Sequence, residues 1–545
     1  MTLRQSNLDR LRGGEFDVLV IGGGINGAVS AAALAAKGAR VALVDRGDFA
    51  GQTSSQSSNL AWGGIKYLET REFMLVNKLC KSRNRLMRAY PSTVKEIRFL
   101  STIEKGFRFS PLFIYLGSLL YWVMGRFATR APRWYGVRAL DAREEAIDVK
   151  EARAGIEYSD CYLYDNDARF VFNFVRKALN YGAAAANYVN CDELTRHGDG
   201  WHAQMTDVQS GDTFQLKARA VVNAAGPGAD DINASAGIKT DYRHVFSKGI
   251  HLVVDRVTRT RRILAFFASD GRLFFVMPMG PKTCIGTTDT RVEDPHTGVT
   301  DEDRAFVLSN ANEMLNLPRT LTRDDIIAER CGVRPLAVKG RDDSNDWVAL
   351  SRKHVVEVEK EARFISIFGG KITDCLNVGD EIAETLRSLG IRLPDPQRRW
   401  YGEPPKAVHE EFLHQAERMN LEQYRHPMAS EPLARRFWRR YGARALEILE
   451  TIRRDPASAK PLIENAEYLR CEIEQAARDE MITELDDFLR RRSKISLVVP
   501  PADVASSDGL REACTILFGQ DAEEKLKRYC RSVENPARDA REAAL

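Results

Sequence analysis

The sequence has few of the features that mark a secreted, metal-bound or nucleic-acid-binding protein. Its nine cysteines form no C-x-x-C pair, so they predict reduced, mostly buried thiols rather than a disulfide framework or a zinc site. The polar N-terminus lacks the apolar core of a secretory signal, which favours a cytoplasmic location. A net charge of +4 over 545 residues is small, and it argues against nucleic acid as a partner.

Long apolar runs are also scarce, and the strongest one covers residues 111–124. It is shorter than the roughly 20 residues that cross a bilayer. Basic residues flank it: Lys105, Arg108, Arg126, Arg130 and Arg133. Two interpretations stay open, a helix packed on the protein core or a surface helix that dips into an anionic membrane face.

Basic runs occur near the C-terminus, at residues 435–440 and 490–492. The region from about residue 405 has a helical, charge-rich pattern, and acidic residues are interleaved throughout it. This mixture predicts solvated helix faces or interdomain contacts rather than a surface for nucleic acid.

The clearest motif lies near the N-terminus. An apolar strand at 16–21 precedes Gly22, Gly24 and Gly27 in a G-x-G-x-x-G pattern, and a small-residue helix follows. The glycines permit a tight turn, close approach to a pyrophosphate and close helix packing, while the helix N-terminus attracts phosphate. A second strand ends at Asp45, where a carboxylate can bind a ribose hydroxyl. The unit predicts a dinucleotide site.

Further segments extend this site. Residues 53–59 are rich in hydroxyl groups, and they predict a loop over the phosphates and ribityl chain of a flavin. Residues 218–227 and 364–373 each form a strand followed by a glycine turn. Strand–glycine junctions so far apart predict one discontinuous domain whose strands end at a common ligand.

At this point the sequence resembles the FAD-dependent, quinone-linked glycerol-3-phosphate dehydrogenases. The resemblance covers nearly the whole chain and rests on many short motifs in the same order. They are GGGINGA (22–28), TSSQSS (53–58), GG-x-K-YLE (63–69), EYSDC (157–161), D-x-DAR (165–169), VNAAGP (222–227), KGIH (248–251), IGTTD (285–289), GVRPL (332–336) and FGGKIT (368–373).

The resemblance implies an α/β fold with a Rossmann-like FAD domain of the glutathione-reductase type, a mixed-sheet substrate domain and a C-terminal helical domain. We predict the FAD domain at 1–70, 145–235 and 330–400, the substrate domain at 71–144 and 236–329, and the helical domain at 405–545. FAD is the implied cofactor, and no metal is expected. The implied partners are a phosphorylated polyol and membrane quinone, with peripheral association at the inner face of the cytoplasmic membrane. A homodimer is compatible with the resemblance.

The implied reaction is hydride transfer from glycerol 3-phosphate to the flavin, with dihydroxyacetone phosphate as product. Matching positions give Lys66, Tyr67, Arg334, Arg352 and Lys371 as substrate ligands, because fixed cations suit a phosphate. His251 is the predicted general base, and Arg334 and Lys371 join it as catalytic residues. Thr287, Thr288 and Asp289 are expected beside them. The predicted cofactor ligands are Gly22, Gly24, Asn26, Gly27, Asp45, Thr53, Ser54, Ser57, Gly226, Gly369, Gly370 and Thr373.

The chain departs from the family pattern near the reactive end of the flavin. Asn59 replaces a usual Lys, Trp62 a usual His and Lys66 a usual Arg. Ile250 replaces Ser, and Gly228 replaces Trp. The phosphate cations are largely kept while the surroundings of the carbinol carbon change, so the exact polyol phosphate stays open.

Three alternatives therefore accompany the main hypothesis. The substrate could be another polyol phosphate, such as a tetritol phosphate. The same fold also serves amino-acid and hydroxy-acid oxidases, although three cations exceed the needs of one carboxylate. A flavoprotein degenerate in catalysis that acts as a sensor is the third alternative, and Trp62 is the feature that supports it.

Overall fold

Two β-sheets and a C-terminal group of helices form the protein in the computed structural model, which describes residues 2–268, 272–340 and 353–534. The first sheet contains the strands Glu15–Ile21, Val41–Val44, Ala184–Ala186, Val189–His197, Gly200–Asp207, Thr213–Asn223, Val355–Glu359 and Phe364–Phe368. Five of these run parallel, in the order Phe364–Phe368, Thr213–Asn223, Glu15–Ile21, Val41–Val44 and Ala184–Ala186.

The central strand of this parallel sheet follows from its composition. Val18, Leu19 and Val20 are fully buried, as expected for an apolar run with a covered layer on each face. The helix Ile25–Ala36 packs on one face, and its many alanines allow close contact with the helices Asp167–Asn180 and Cys375–Ser388. All the parallel strands end at one edge, where the glycine turns also lie.

The second sheet is mixed. Its strands are Leu60–Ala61, Val94–Glu104, Arg133–Tyr135, Ala152–Leu163, Tyr242–Asp255, Ile263–Phe267, Leu273–Met279, Lys282–Gly286, Thr290–Val292 and Ala328–Lys339. The long antiparallel pair Tyr242–Asp255 and Ala328–Lys339 sets Ser247 opposite Arg334 and His251 opposite Arg330. This register brings the predicted base and a predicted phosphate ligand onto one ribbon.

The helices of the first two thirds connect and cover the sheets. They are Leu3–Leu11, Ile25–Ala36, Phe73–Ala89, Pro111–Met124, Val137–Asp141, Asp167–Asn180, Ala229–Ser235, Asp301–Met314 and Cys375–Ser388. Short 3-10 turns occur at Thr53–Ser55, Ile65–Leu68, Gly226–Gly228, Arg323–Asp325 and Ile372–Asp374. The predicted domain limits stay a prediction. The strands Ala152–Leu163 and Ala328–Lys339 fall largely in segments predicted for the FAD domain, 145–235 and 330–400, but they belong to the second sheet.

The C-terminal region is helical, as the sequence pattern predicts. Its helices are Lys406–Arg418, Leu433–Tyr441, Ala445–Arg454, Arg470–Asp479, Ile495–Val498, Pro501–Ser506, Asp508–Phe518 and Ala522–Glu534, with a π-helical turn at Asp487–Arg492. The basic runs are not solvated faces, because Arg436, Arg439, Arg440 and Arg492 are each at most 4% exposed. Arg440 and Arg492 form the interdomain contacts that the sequence left as an alternative, with Asp165 and Asp48, whereas Arg436 pairs with Glu472 inside the C-terminal region.

The apolar segment forms the helix Pro111–Met124, capped by Ser110, whose hydroxyl accepts from the N–H of Phe113. Much of its apolar surface faces outward, since Leu112, Phe113 and Leu116 are 53–59% exposed. Tyr121 on the other side is buried. Across the described ranges, no helix is both long and apolar enough to cross a membrane.

Candidate functional site

The glycine loop adopts the geometry that its sequence predicts. Gly22 has a φ of +97°, and a Cβ there would lie 2.5 Å from the carbonyl oxygen of Ala224. A Cβ on Gly27 would lie 1.8 Å from the carbonyl oxygen of Gly22, so the helix and the strand touch through backbone alone. Gly24 is the N-cap of the helix and has no side chain to cover the free N–H groups. These features together form a phosphate cradle.

The hydroxyl-rich loop closes over this cradle. The hydroxyl of Ser54 accepts from the N–H of Ile25 at 3.0 Å, at the helix N-terminus. Ser57 donates its N–H to Asp167 at 2.7 Å, and Thr53 donates its hydroxyl to the carbonyl of Val333 at 2.7 Å. The loop is thus held between the helix Asp167–Asn180 and the second sheet, and Ser54 is the residue that reaches the cradle.

Asp45 stands at the end of the second strand, as predicted. Its carboxylate accepts from the N–H groups of Gly23 and Gly47 at 2.6 and 2.9 Å. Burial raises the pKa of Asp45 to about 6, and these two N–H groups oppose the rise. The side chain ties the two loops of the cradle together, and its role toward a ribose stays a prediction.

The other predicted cofactor ligands lie around the same edge. Asn26 donates to the carbonyl of Gly369 at 2.9 Å, and a Cβ on Gly370 would lie 3.2 Å from its Oδ1. Thr373 donates to the carbonyl of Trp62 at 3.3 Å. Gly226 has a φ of +58° and open space beside it. The glycine turns of the three distant segments therefore converge on the strand ends.

Buried polar atoms without partners test whether this edge suits FAD. Within the described residues, Asn26 Oδ1, Asn59 Nδ2, Trp62 Nε1 and His251 Nδ1 are buried and make no hydrogen bond. Native proteins rarely leave such atoms unsatisfied, so a polar ligand is the expected complement. Together with the glycine cradle they fit a flavin dinucleotide, which would lie from Gly24 toward His251.

His251 is held as a neutral imidazole. It is 1% exposed, and its Nε2 lies 2.9 Å from the hydroxyl of Ser58. Burial lowers its pKa well below 6.5, and the positive charges of Arg330 and Arg334 lower it further. A neutral imidazole at physiological pH can accept a proton, as a general base must.

Arg334 points to the same end of the ribbon. Its guanidinium donates to Asp289 Oδ1 at 3.3 Å and to the hydroxyl of Thr287 at 3.2 Å. Ser247 donates to the same carboxylate. Thr288 accepts from the N–H of Ile250 at 3.1 Å. The IGTTD turn thus orients Arg334 beside His251.

Lys371 forms the second cationic group with Tyr67. Its ammonium donates to the Tyr67 hydroxyl at 2.5 Å and lies 4.3 Å from the ring centroid. Lys66 precedes Tyr67 in the turn Ile65–Leu68 and is half-buried. Arg352, the remaining predicted phosphate ligand, lies outside the described residues.

Two of the departures have a visible structural setting. The Trp62 ring lies 6.0 Å from the Tyr67 ring and borders the Lys371 group. Asn59 has a φ of +54°, a conformation that Asn tolerates better than Lys, and its Oδ1 accepts from the N–H of Asp167 at 3.2 Å. Asn59 therefore shapes the loop, whereas Trp62 fills space at the reactive end.

Sequence reasoning missed a buried ion pair beneath the loop. Arg330, which is 0% exposed, donates to Asp167 Oδ2 at 2.7 Å and to the carbonyl of Ser55 at 2.8 Å. The strand alternation through Arg334 would have placed Arg330 on a covered face, so the signal was present. The pair holds the loop through Ser55, and the charge of Arg330 helps to lower the pKa of His251.

A second missed group surrounds His354, next to Gly370. Its Nδ1 lies 3.0 Å from Asp374 and its Nε2 lies 2.8 Å from Glu381. Burial lowers the pKa of His354, but the hydrogen bonds with Asp374 and Glu381 outweigh it and raise the pKa to about 9. His354 is therefore a cation that anchors the helix start after Lys371.

The C-terminal region also reaches the cofactor loops. Arg492 grips Asp48 with two nitrogens at 2.8 and 2.7 Å, and Arg491 adds a contact at 2.7 Å. All three side chains are at most 13% exposed. Although burial raises the pKa of Asp48, Arg492 and Arg491 hold it below its usual value. Asp48 follows Asp45, so this clamp (Asp48, Arg491 and Arg492) fixes the far side of the cradle.

Comparison with known families agrees with this geometry. Residues 17–355 match the family described as FAD dependent oxidoreductase. Residues 406–525 match the C-terminal domain of alpha-glycerophosphate oxidase. The predicted fold class and the predicted FAD are confirmed, because the first match covers the glycine loop and most strands of both sheets.

Individual relatives extend over nearly the whole chain. Glycerol-3-phosphate dehydrogenase 2 of Mycobacterium tuberculosis is 30% identical, covering 96% of this chain and 89% of that protein. D-erythritol 1-phosphate dehydrogenase of Brucella abortus is 28% identical over 90% of this chain and 96% of that protein. The crystal structure of a glycerol-3-phosphate dehydrogenase from Bacillus halodurans with FAD is 23% identical, with a TM-score of 0.73 over 98% of this chain and 97% of that one.

Proposed function

The chain belongs to the FAD-dependent oxidoreductases, within the glycerol-3-phosphate dehydrogenase family, and from this premise we propose that it oxidises glycerol 3-phosphate to dihydroxyacetone phosphate. The observation that carries the proposal is the presence of a neutral His251 with a cation near each end of the segment 58–67. Ser58 contacts His251 beside Arg334, and Tyr67 contacts Lys371. A base next to fixed cations suits an alcohol that carries a phosphate.

Each residue has a distinct role in this proposal. Arg334 and Lys371 bind the phosphate, with Lys66 and Arg352 as further ligands. The proton of the substrate hydroxyl moves to His251 Nε2, where the Ser58 hydroxyl shows that an oxygen can stand at hydrogen-bond distance. Bound FAD supplies the hydride acceptor. Trp62 and the loop 53–59 exclude water from the carbinol carbon.

Anaerobic bleaching of the flavin tests the substrate. We expect glycerol 3-phosphate to reduce the purified holoenzyme, with the loss of flavin absorbance measured by stopped-flow spectroscopy. Reduction by an amino acid or a hydroxy acid but by no polyol phosphate would contradict the proposal. If no substrate of any of these classes reduces the flavin, the sensor alternative would replace it.

A second candidate substrate is a tetritol phosphate. Trp62 changes the space at the carbinol end, and one relative is a D-erythritol 1-phosphate dehydrogenase. The discriminating experiment compares the reduction rates with glycerol 3-phosphate and D-erythritol 1-phosphate at equal concentration. A higher rate with the longer polyol phosphate would move the assignment to that substrate.

The electron acceptor is part of the proposal. We propose that the reduced protein passes its electrons to a membrane quinone. Mixing the anaerobically reduced protein with a soluble ubiquinone analogue should restore the oxidised flavin spectrum faster than dissolved oxygen does. Faster reoxidation by oxygen would instead indicate an oxidase.

We propose peripheral membrane binding through the helix Pro111–Met124. Leu112, Phe113 and Leu116 are more than half exposed, and the exposed basic residues Arg126 and Arg130 follow the helix in the sequence. An outward apolar stripe with basic neighbours is typical of a helix that lies in an anionic lipid surface. The protein is then cytoplasmic and attached to the inner face of the membrane.

Liposome sedimentation tests this attachment. Leu116→Glu with Leu120→Glu should reduce binding to anionic vesicles about tenfold or more, because each charge must enter the apolar region. Leu413→Glu with Met428→Glu is the matched control, since both of these residues are exposed elsewhere. Unchanged sedimentation of the first variant would refute the docking role. The homodimer that the resemblance allows is tested separately, by light scattering of the protein without vesicles.

A further inference from the structure

A large cleft lies away from the cofactor, between the helix Asp167–Asn180 and the C-terminal helices. It has a volume of about 660 Å³, within the range of small-molecule sites. Its walls carry a surplus of cations, including Arg88, Arg176, Lys177, Arg399, Lys406 and Arg444. Lys177 lies 10 residues beyond Asp167, which contacts Ser57 of the loop 53–59. About 15 Å of helix therefore separates Lys177 from that loop.

Several of these cations lack a counter-charge. Among the described residues, Arg88, Lys177 and Arg399 have no carboxylate within ion-pair distance, whereas Arg444 pairs with Asp479 at 2.7 Å. The nearest carboxylate to Arg176 is 3.9 Å away, on Glu480, which Arg169 already holds at 2.6 Å. Lys406 also pairs with Glu410 at 2.7 Å, so the uncompensated charge of the cleft rests on Arg88, Lys177 and Arg399.

Glu403 is the single carboxylate among the described residues that line the cleft, and it is already satisfied. It accepts from the N–H and the hydroxyl of Ser92 at 2.7 and 2.5 Å. Its other oxygen accepts from the indole of Trp438 at 3.2 Å. The hydrogen bonds of Glu403 go to these neutral donors rather than to the described cations of the cleft.

Two cations converge at Gly402. Lys177 Nζ donates to the Gly402 carbonyl at 2.6 Å, and Arg399 Nη2 lies 3.1 Å from the point where a Cβ on Gly402 would stand. Burial first, and then the charge of Arg399, lower the pKa of Lys177 to about 8. Two like charges held together in a half-buried cleft are the arrangement that a bound anion stabilises.

We propose that this cleft binds a compact, multiply charged phosphate anion between Lys177 and Arg399. The aromatic side chains of the cleft are already stacked, so they do not favour a ligand with a ring. Arg85 and Arg399 lie over Tyr401 at 4.4 and 4.8 Å. Trp438 is stacked against His409 at 4.2 Å. Recognition thus rests on charge, and free polyphosphate or a phosphate-terminated metabolite would share it. The proposal is independent of the substrate assignment.

Calorimetric titration of the holoenzyme with sodium pyrophosphate tests the site, at constant ionic strength set with chloride. Lys177→Gln with Arg399→Gln should weaken binding at least tenfold. Lys239→Gln with Lys360→Gln removes the same charge from exposed positions and should leave the affinity unchanged. Lys177→Arg keeps the charge and should retain binding. Arg399→Gln alone, which leaves the buried lysine in place, should also weaken binding.

The active-site cations also attract pyrophosphate, so the titration is repeated with Arg334→Gln, which removes one of them. Binding in the cleft should persist in this variant. The proposal is overturned if Arg334→Gln abolishes the entire binding signal of pyrophosphate. It is equally overturned if the Lys239/Lys360 control loses as much affinity as the cleft variant. Phosphate-terminated sugars titrated in parallel identify which source of the anion binds more tightly.

Discussion

At the scale of the residue, Gly27 sets the tightest steric limit in the cofactor cradle. Gly27→Ala would place a methyl group 1.8 Å from the backbone oxygen of Gly22, so the helix must move away from the strand. We expect loss of most of the bound FAD, measured by absorbance at purification. Gly117→Ala is the control, because nothing lies within 4 Å of that position, and full FAD content is expected there.

His251 controls the proton in the proposed reaction. His251→Gln should lower kcat by about 10² to 10⁴, the usual contribution of a general base, while the FAD spectrum is retained. His414→Gln, on an exposed helix face, should have no effect. Equal turnover in the two variants would remove His251 from the mechanism.

The pH profile of the unmodified protein also tests His251 as the general base. Because the pKa of His251 lies well below 6.5, the imidazole stays neutral and competent as the medium is acidified through pH 6.5. The acid limb of kcat should therefore lie below pH 6.5. A limb at or above 6.5 would indicate either an exposed histidine or a different base.

Trp62 is the residue at which substrate choice is most open. Trp62→His restores an acid/base group and removes bulk beside Tyr67. We expect kcat with glycerol 3-phosphate to rise by about tenfold or more, while the rate with D-erythritol 1-phosphate changes less. Parallel stopped-flow measurements with both substrates give the ratio. An unchanged ratio would make Trp62 a packing residue only.

At the scale of the element, the π-helical turn Asp487–Arg492 holds the cofactor loops from outside their own domain. Arg492→Met leaves Asp48 buried with Arg491 and Asn187 as its partners, and breaking a buried ion pair costs about 3–5 kcal/mol. We expect a lower midpoint for thermal release of FAD, followed by flavin fluorescence. Arg453→Met breaks an exposed pair with Glu450 and should shift the midpoint little.

The same element shows what the sequence could and could not predict. The glycine loop, Asp45, His251, Arg334 and Lys371 were predicted because short motifs identify them within a few neighbouring residues. Arg492 could not be matched to Asp48, nor Arg330 to Asp167, because each pair is far apart in the chain. Periodicity reports that a side chain is covered and does not report which partner covers it.

The antiparallel ribbon gives a second example. The sequence predicted that His251 and Arg334 act together but not the strand register that places them on one ribbon. That register, with Ser247 opposite Arg334, is what joins the two motifs into one site. Register depends on the side chains of both strands and on the turns between them, so it emerges only in the assembled sheet.

At the scale of the whole molecule, the cysteines report on the packing. Seven of the nine are buried and two, Cys331 and Cys530, are half-buried. Burial raises the pKa of Cys80 to about 11 and that of Cys284 to about 12, which suppresses the reactive thiolate. A thiol reagent should label at most two cysteines in the native protein and all nine in urea. Labelling of more than two before unfolding would contradict this packing.

The clamp between Asp48 and Arg492 joins residues 444 positions apart. At the usual pace of 5–20 residues per second, a ribosome needs about 20 to 90 seconds to travel from one to the other. The nascent chain therefore exposes a half-built nucleotide fold for most of its synthesis. Flavin loading becomes a late, post-translational event, and prematurely terminated chains are expected to be clients of chaperones and proteases rather than partly active flavoproteins.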